Sequence, residues 1–105
     1  TWVPKGYEQA TYSNEDKVVT IVFSNSEKNL ICYFEFGNGQ VLGVNTDEAY
    51  KTENVDINGY EGLLVVCDNF ISVTWADVNR NLILRIRADG LDEETVLKIA
   101  RSVHN

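Results

Sequence analysis

FISVTWADVNRNLILRIRADGLDEETVLKIARSVHN, residues 70–105, closes the chain, and its reading decides the fold. Ile71, Val73 and Trp75 alternate with Ser72 and Thr74, and Leu82, Leu84, Ile86 and Ala88 alternate with Arg85 and Arg87. That two-residue period marks two strands, each with one buried face. Between them Asp77-Val78-Asn79-Arg80-Asn81 supplies side chains that bond their own backbone and tolerate left-handed geometry, as a hairpin loop requires. After Asp89-Gly90 the period changes. Asp92 stands where an N-cap oxygen is needed, Glu93 and Glu94 place negative charge in the first turn, and Lys98 and Arg101 follow toward the other end. A helix therefore starts near Glu93. Leu91 and Val96 have the spacing of a hydrophobic staple. Val96, Ile99, Ala100 and Val103, with Leu97 beside them, recur at helical period, so one face docks on the sheet while Glu94, Lys98 and Arg101 meet water.

Upstream, strand follows strand. Trp2-Val3-Pro4-Lys5-Gly6-Tyr7 makes an opening turn flanked by aromatics, and residues 8–12 form a weak strand closed by Ser13-Asn14-Glu15-Asp16. Residues 17–24 form a strong strand, with Val19, Ile21 and Phe23 on one face and Val18, Thr20 and Val22 on the other. Residues 24–29 turn the chain and residues 30–36 return. Gly37-Asn38-Gly39 signals a tight hairpin into residues 40–44, and residues 46–53, polar and acidic, read as a loop or a frayed helical turn. Residues 55–57 and 60–67 flank Asn58-Gly59, the strongest short-range hairpin mark in the sequence. Asp68-Asn69 then turns into the Phe70 strand. The expected fold is α+β: a curved, largely antiparallel meander sheet of six to eight strands packed against one C-terminal helix.

At 105 residues the chain is a single domain, long enough to bury roughly two-thirds of its unfolded surface. Nine basic and sixteen acidic residues give a net charge of −7. The part before Arg80 carries −8 and the remainder +1. An acidic strand region repels phosphate backbones and anionic lipid, which excludes nucleic acid as a partner on charge grounds. No apolar run approaches membrane-spanning length, so the domain itself is not membrane-inserted. The abrupt Thr1-Trp2-Val3 start, without Met or signal peptide, suggests a domain excised from a longer membrane-anchored or secreted chain.

No constellation of catalytic groups emerges. His104, the single histidine, lies beyond the last helical apolar residue, so a Ser-His-acid or Cys-His arrangement is not supported. Gly37, Gly39 and Gly43 imitate a dinucleotide fingerprint, but the last spacing is one residue too long and no helix pattern follows. Asp77, Asn79 and Asn81 imitate the start of a calcium loop, yet Leu82 stands where glycine is required and Ala88 where glutamate is. Acidic pairs such as Asp47 with Glu48 and Glu93 with Glu94 fall where a solvated loop or a helix start explains them. Cys32 and Cys67 share strand faces with apolar residues and read as two buried thiols, with a cross-strand disulfide as the alternative. Too few ligands accompany them for a metal site. No catalytic residue, cofactor-binding residue or metal ligand is therefore assigned.

One feature points to binding. Residues 18–23 and 63–67 are apolar on both faces, whereas a single helix covers only one face of a sheet. Either the sheet curls so that its concave side closes on itself, the favoured expectation, or the second face meets a ligand, a partner or more chain. Trp2, Tyr7, Tyr33, Phe34, Phe36 and Trp75 are candidates to line an apolar cleft, although strand aromatics usually belong to the core.

Val3-Pro4-Lys5-Gly6-Tyr7, Val55-Asp56-Ile57-Asn58-Gly59-Tyr60-Glu61-Gly62, Val73-Thr74-Trp75-Ala76-Asp77 and residues 91–102 (LDEETVLKIARS) together resemble the bacterial domain of unknown function 4367 across essentially the whole chain. Its motifs are structural and carry no catalytic residues. The resemblance implies an extracytoplasmic part of a membrane-anchored protein, in some members joined to an anti-sigma-factor-like cytoplasmic segment. That family is in turn distantly similar to lipoprotein-carrier and periplasmic anti-sigma regulator domains, whose curved sheets hold acyl chains. The expected function is a non-catalytic extracytoplasmic sensing or interaction domain, tethered to the cell membrane or secreted, in envelope signalling. Its partner is an unidentified protein or, in the alternative, a lipid or other apolar ligand on the sheet face. An enzyme is the third reading.

Overall fold

The computed structural model describes residues 2–15, 18–37, 51–77, 79 and 81–103. Seven strands precede one helix: β1 (Glu8–Glu15), β2 (Val18–Ser24), β3 (Leu30–Gly37), β4 (Lys51–Ile57), β5 (Tyr60–Val66), β6 (Ile71–Asp77), β7 (Leu82–Ala88) and α1 (Glu93–Ser102). All six pairings are antiparallel, in the order β1-β2-β3-β7-β6-β5-β4. The expected α+β meander with one closing helix is what forms, as two meander runs that meet where β3 pairs with β7. The last strand is thereby the middle one.

The sheet is open, with β1 and β4 as its edges. Among the described residues no pairing joins these two edges, so the expected closure of the concave side on itself does not occur there, and the apolar second face needs another account. Two boundaries also move. Residues 51–53, expected in a loop, belong to β4, and Ser13, Asn14 and Glu15, expected as a turn, belong to β1. Both are edge strands, where polar residues can satisfy one ladder and leave the other side to water, so hydrophobic alternation is too weak to reveal them. β1 also carries a register shift between Gln9 and Thr11. The expected hairpin at Gly37-Asn38-Gly39 and strand at 40–44 lie outside the described residues beyond Gly37, as do Asp47, Glu48 and His104.

Side chains alternate across a strand, so the register fixes two faces. One row runs Ile21, Tyr33, Ile86, Val73, Leu64, Glu53 from β2 to β4. This face receives α1, whose Val96, Ile99 and Ala100 are buried with Ile31, Leu64, Val73, Trp75, Leu84 and Ile86 in a single core. Asp92 caps the helix, its Oδ1 accepting from the Thr95 N–H at 2.9 Å, and Glu93 and Glu94 lie in the first turn. Capping together with the apolar stripe explains why the helix begins where the sequence places it.

Three attachments hold the helix from its flanks. The Asn58-Gly59 turn has φ of 54° and 92°, the left-handed pair that a two-residue hairpin needs. Its Asn58 Nδ2 donates to the Arg101 carbonyl at 2.9 Å, while Arg101 Nε donates to the Asp56 carbonyl at 3.1 Å. At the other end of the helix, Lys51 Nζ donates to Glu93 Oε1 at 2.7 Å. The N-terminal arm crosses the helix as well: the Trp2 N–H donates to Ser102 Oγ at 2.7 Å, and Lys98 Nζ sits 4.1 Å from the Trp2 ring centroid.

Candidate binding face

Residues of opposite parity form the face away from α1. Its central rows run Thr20, Phe34, Arg85, Thr74, Leu63, Asn54 and Val22, Cys32, Arg87, Ser72, Val65, Thr52. Val18, Val22, Phe34, Leu63 and Ile83 are half-buried, and Phe36 and Val65 are buried. Among the described residues no second layer packs on this face. Phe34 and Phe36 stack with centroids 6.0 Å apart. Beside them a groove of about 640 Å³ opens, lined by Asn54, Tyr60, Leu63, Thr74, Ala76 and Ile83 among others. Ligand pockets commonly fall between about 300 and 1,000 Å³ with mainly apolar walls, so this depression has the dimensions of a small-molecule site.

Two arginines stand in this apolar setting. Arg87 lies with its guanidinium carbon 4.1 Å from the Phe70 ring centroid, a cation–π contact that occupies it at one end of the face. Arg85 projects from the middle of the central strand. Its Nε donates to Thr74 Oγ1 at 3.0 Å, whereas its Nη2 is buried without a hydrogen-bond partner among the described residues. Burial first, and the positive charge of Arg87 second, hold the Arg85 guanidinium below its usual range. Both influences make its cationic state more costly, and an anion placed beside it would act in the opposite sense.

The aromatic candidates divide between the faces. Tyr33 and Trp75 belong to the core beneath the helix, where Tyr33 Oη donates to Glu35 Oε2 at 2.8 Å. Tyr7 packs against that core, Trp2 lies on the helix surface, and only Phe34 and Phe36 turn toward the second face. Cys32 and Cys67 are both free. Burial pushes the Cys32 thiol up, against the lowering influence of Arg87, which keeps it protonated and weakly nucleophilic. Among the described residues no three His, Cys, Asp or Glu side chains gather closely enough to hold a metal ion, and no helix is long and apolar enough to cross a membrane.

Sequence reasoning passed over Arg85, which reads as the ordinary polar partner in an alternating strand. The available signal was a pair of cations, Arg85 and Arg87, on a strand between apolar neighbours with no acidic residue within the strand itself. No curated protein and no solved structure matches the chain. Residues 1–103 match the family described as domain of unknown function (DUF4367), and the chain belongs to that family.

Proposed function

We propose that this chain is a non-catalytic sensing or interaction domain whose contact surface is the sheet face opposite α1, working outside the cytoplasm as part of a membrane-anchored bacterial protein in envelope signalling. The observation that carries the reading is the two-sidedness of the sheet. One face is filled by a helix, while the other keeps half-buried Val18, Val22, Phe34, Leu63 and Ile83 and a groove of about 640 Å³. A groove with partly apolar walls on a face that no helix covers supports contact with a ligand or partner there. The resemblance described above supports the cellular setting.

Protease accessibility in intact cells tests the setting. A full-length protein tagged within this domain is expected to be cleaved in cells whose outer layers have been opened but whose cytoplasmic membrane is sealed. Cleavage only after that membrane is broken would put the domain on the wrong side and end the extracytoplasmic reading.

The groove favours a more specific second reading, a site for a lipid or other apolar molecule. Native mass spectrometry of the freshly purified chain is expected to show added mass that disappears on denaturation. A bare dimer would assign the face to a second copy, and a bare monomer after incubation with apolar ligands would count against this reading.

A further inference from the structure

We propose that the face opposite α1 holds a single-chain amphiphile with an anionic head, the head bound by Arg85 and the tail laid along Leu63, Ala76 and Ile83. This rests on the reading of that face as a binding surface and adds the charge and shape of the occupant.

Arg85 is the residue that selects the head group. A guanidinium presents five N–H donors and stays charged, and a buried charged donor left unmatched is among the costlier features a fold can keep. Among the described residues the Arg85 Nη2 is nonetheless buried with no hydrogen-bond partner. Thr74 Oγ1 takes only its Nε, at 3.0 Å. The neighbouring cation Arg87 repels it, and the ion pairs of Lys51 with Glu53 and with Glu93 belong to β4 and α1 on the other face. Thr74 also lines the groove, so the cation and the apolar depression share a wall. The side chain is half-buried as a whole. A carboxylate seated beside Thr74 would offer the guanidinium paired, charge-assisted hydrogen bonds.

Charge selects among anions. A chain of net charge −7 repels a polyanion, whereas a single negative head is admitted where a local cation meets it. Among the other lining residues Leu63, Ala76 and Ile83 suit an alkyl chain, while Glu61, the one carboxylate of the lining, disfavours a negative head at its own position and leaves the Arg85 end for it.

The experiment compares decanoate with decanol, which share a tail and differ in the head. Binding to the whole chain is followed by backbone amide shifts and repeated with Arg85→Met. Decanoate is expected to bind about tenfold or more tightly than decanol, from hydrogen bonds to a charged group. Shifts should centre on β5, β6 and β7. Arg85→Met should abolish the preference, keep the decanol affinity and unfold at no lower temperature than the unmodified chain. Equal affinity for both molecules in the unmodified chain would overturn the role of Arg85 while leaving the face as a binding surface. A preference that survives in a folded Arg85→Met variant would overturn it too. Shifts confined to the helix side would overturn both readings.

Discussion

At the scale of single residues, Gly62 shows how tightly the helix side is packed. Its position between Val55 and Trp75 in the register gives a side chain no room: an added Cβ would lie 3.2 Å from Ile57 Cγ1, 3.3 Å from the Thr74 carbonyl oxygen and 3.4 Å from Trp75 Cβ. The carbonyl belongs to a ladder and Ile57 is fully buried, so neither yields easily. An alanine ordinarily gains something like 0.5–1 kcal/mol over glycine in a strand, but overpacking typically costs about 1–3 kcal/mol. Gly62→Ala is therefore expected to destabilise by about 1 kcal/mol, and an unchanged or raised urea midpoint would show that the neighbours give way. Asp92 supplies a pH-dependent counterpart. Hydrogen bonds from the Thr95 hydroxyl and the Thr95 N–H hold its carboxyl below the usual range. A folded-state pKa that is depressed favours the folded chain fully above the unfolded value near 3.9, and the benefit fades as pH falls through the lower folded value. Asp92→Ala should therefore lower the thermal midpoint at about pH 7 and narrow its gap from the unmodified chain at about pH 3, as circular dichroism would record. A gap of constant size would mean that the carboxylate charge takes no part.

At the scale of elements, the order of strands predicts an order of stability. β7 is paired on both sides and packed under α1, while β1 and β4 are each paired on one side only among the described residues. Amides of β6 and β7 are expected to exchange slowest with deuterium and outward amides of β1 and β4 fastest. Rapid exchange in β7 would contradict the central placement. The helix should matter as much as the strand it covers. Ile99 is fully buried and Trp75 nearly so, so Ile99→Ala and Trp75→Ala should each cost about 2–5 kcal/mol in urea unfolding. The same elements explain what the sequence disclosed. Residues 71–77, 82–88 and 93–102 were legible because burial on one side imposes a strict period, and Asp92 and Asn58-Gly59 because caps and tight turns demand particular side chains. Lys51, Thr52 and Glu53 were not legible as strand, since an edge strand draws its order from hydrogen bonds to β5 rather than from buried side chains. The pairing of β3 with β7 was hidden for a related reason: it joins residues about fifty positions apart, such as Phe34 and Arg85, and no local pattern records a distant partner.

For the molecule as a whole, one sheet has two apolar faces that carry different consequences, and neighbouring residues of β7 separate them. Leu84 faces the helix and is fully buried, whereas Ile83 faces away, half-buried, on the wall of the groove. Were the domain only a structural spacer, truncation at either position would be felt through stability alone, in proportion to the area lost. A binding face predicts a division of effects. Leu84→Ala should cost about 2–5 kcal/mol through the cavity it leaves. Ile83→Ala should cost less than Leu84→Ala, because part of its surface is already in water and less burial is lost. The order reverses for contact with apolar molecules: Ile83→Ala and Leu63→Ala should weaken binding of decanol or a fluorescent apolar dye, while a folded Leu84→Ala should keep it. Stability and binding measured on the same three variants decide the matter. A large loss of stability in Ile83→Ala without any change in dye binding would make the second face a core in its own right, and the apolar residues of β2 and β5 would then be accounted for by packing.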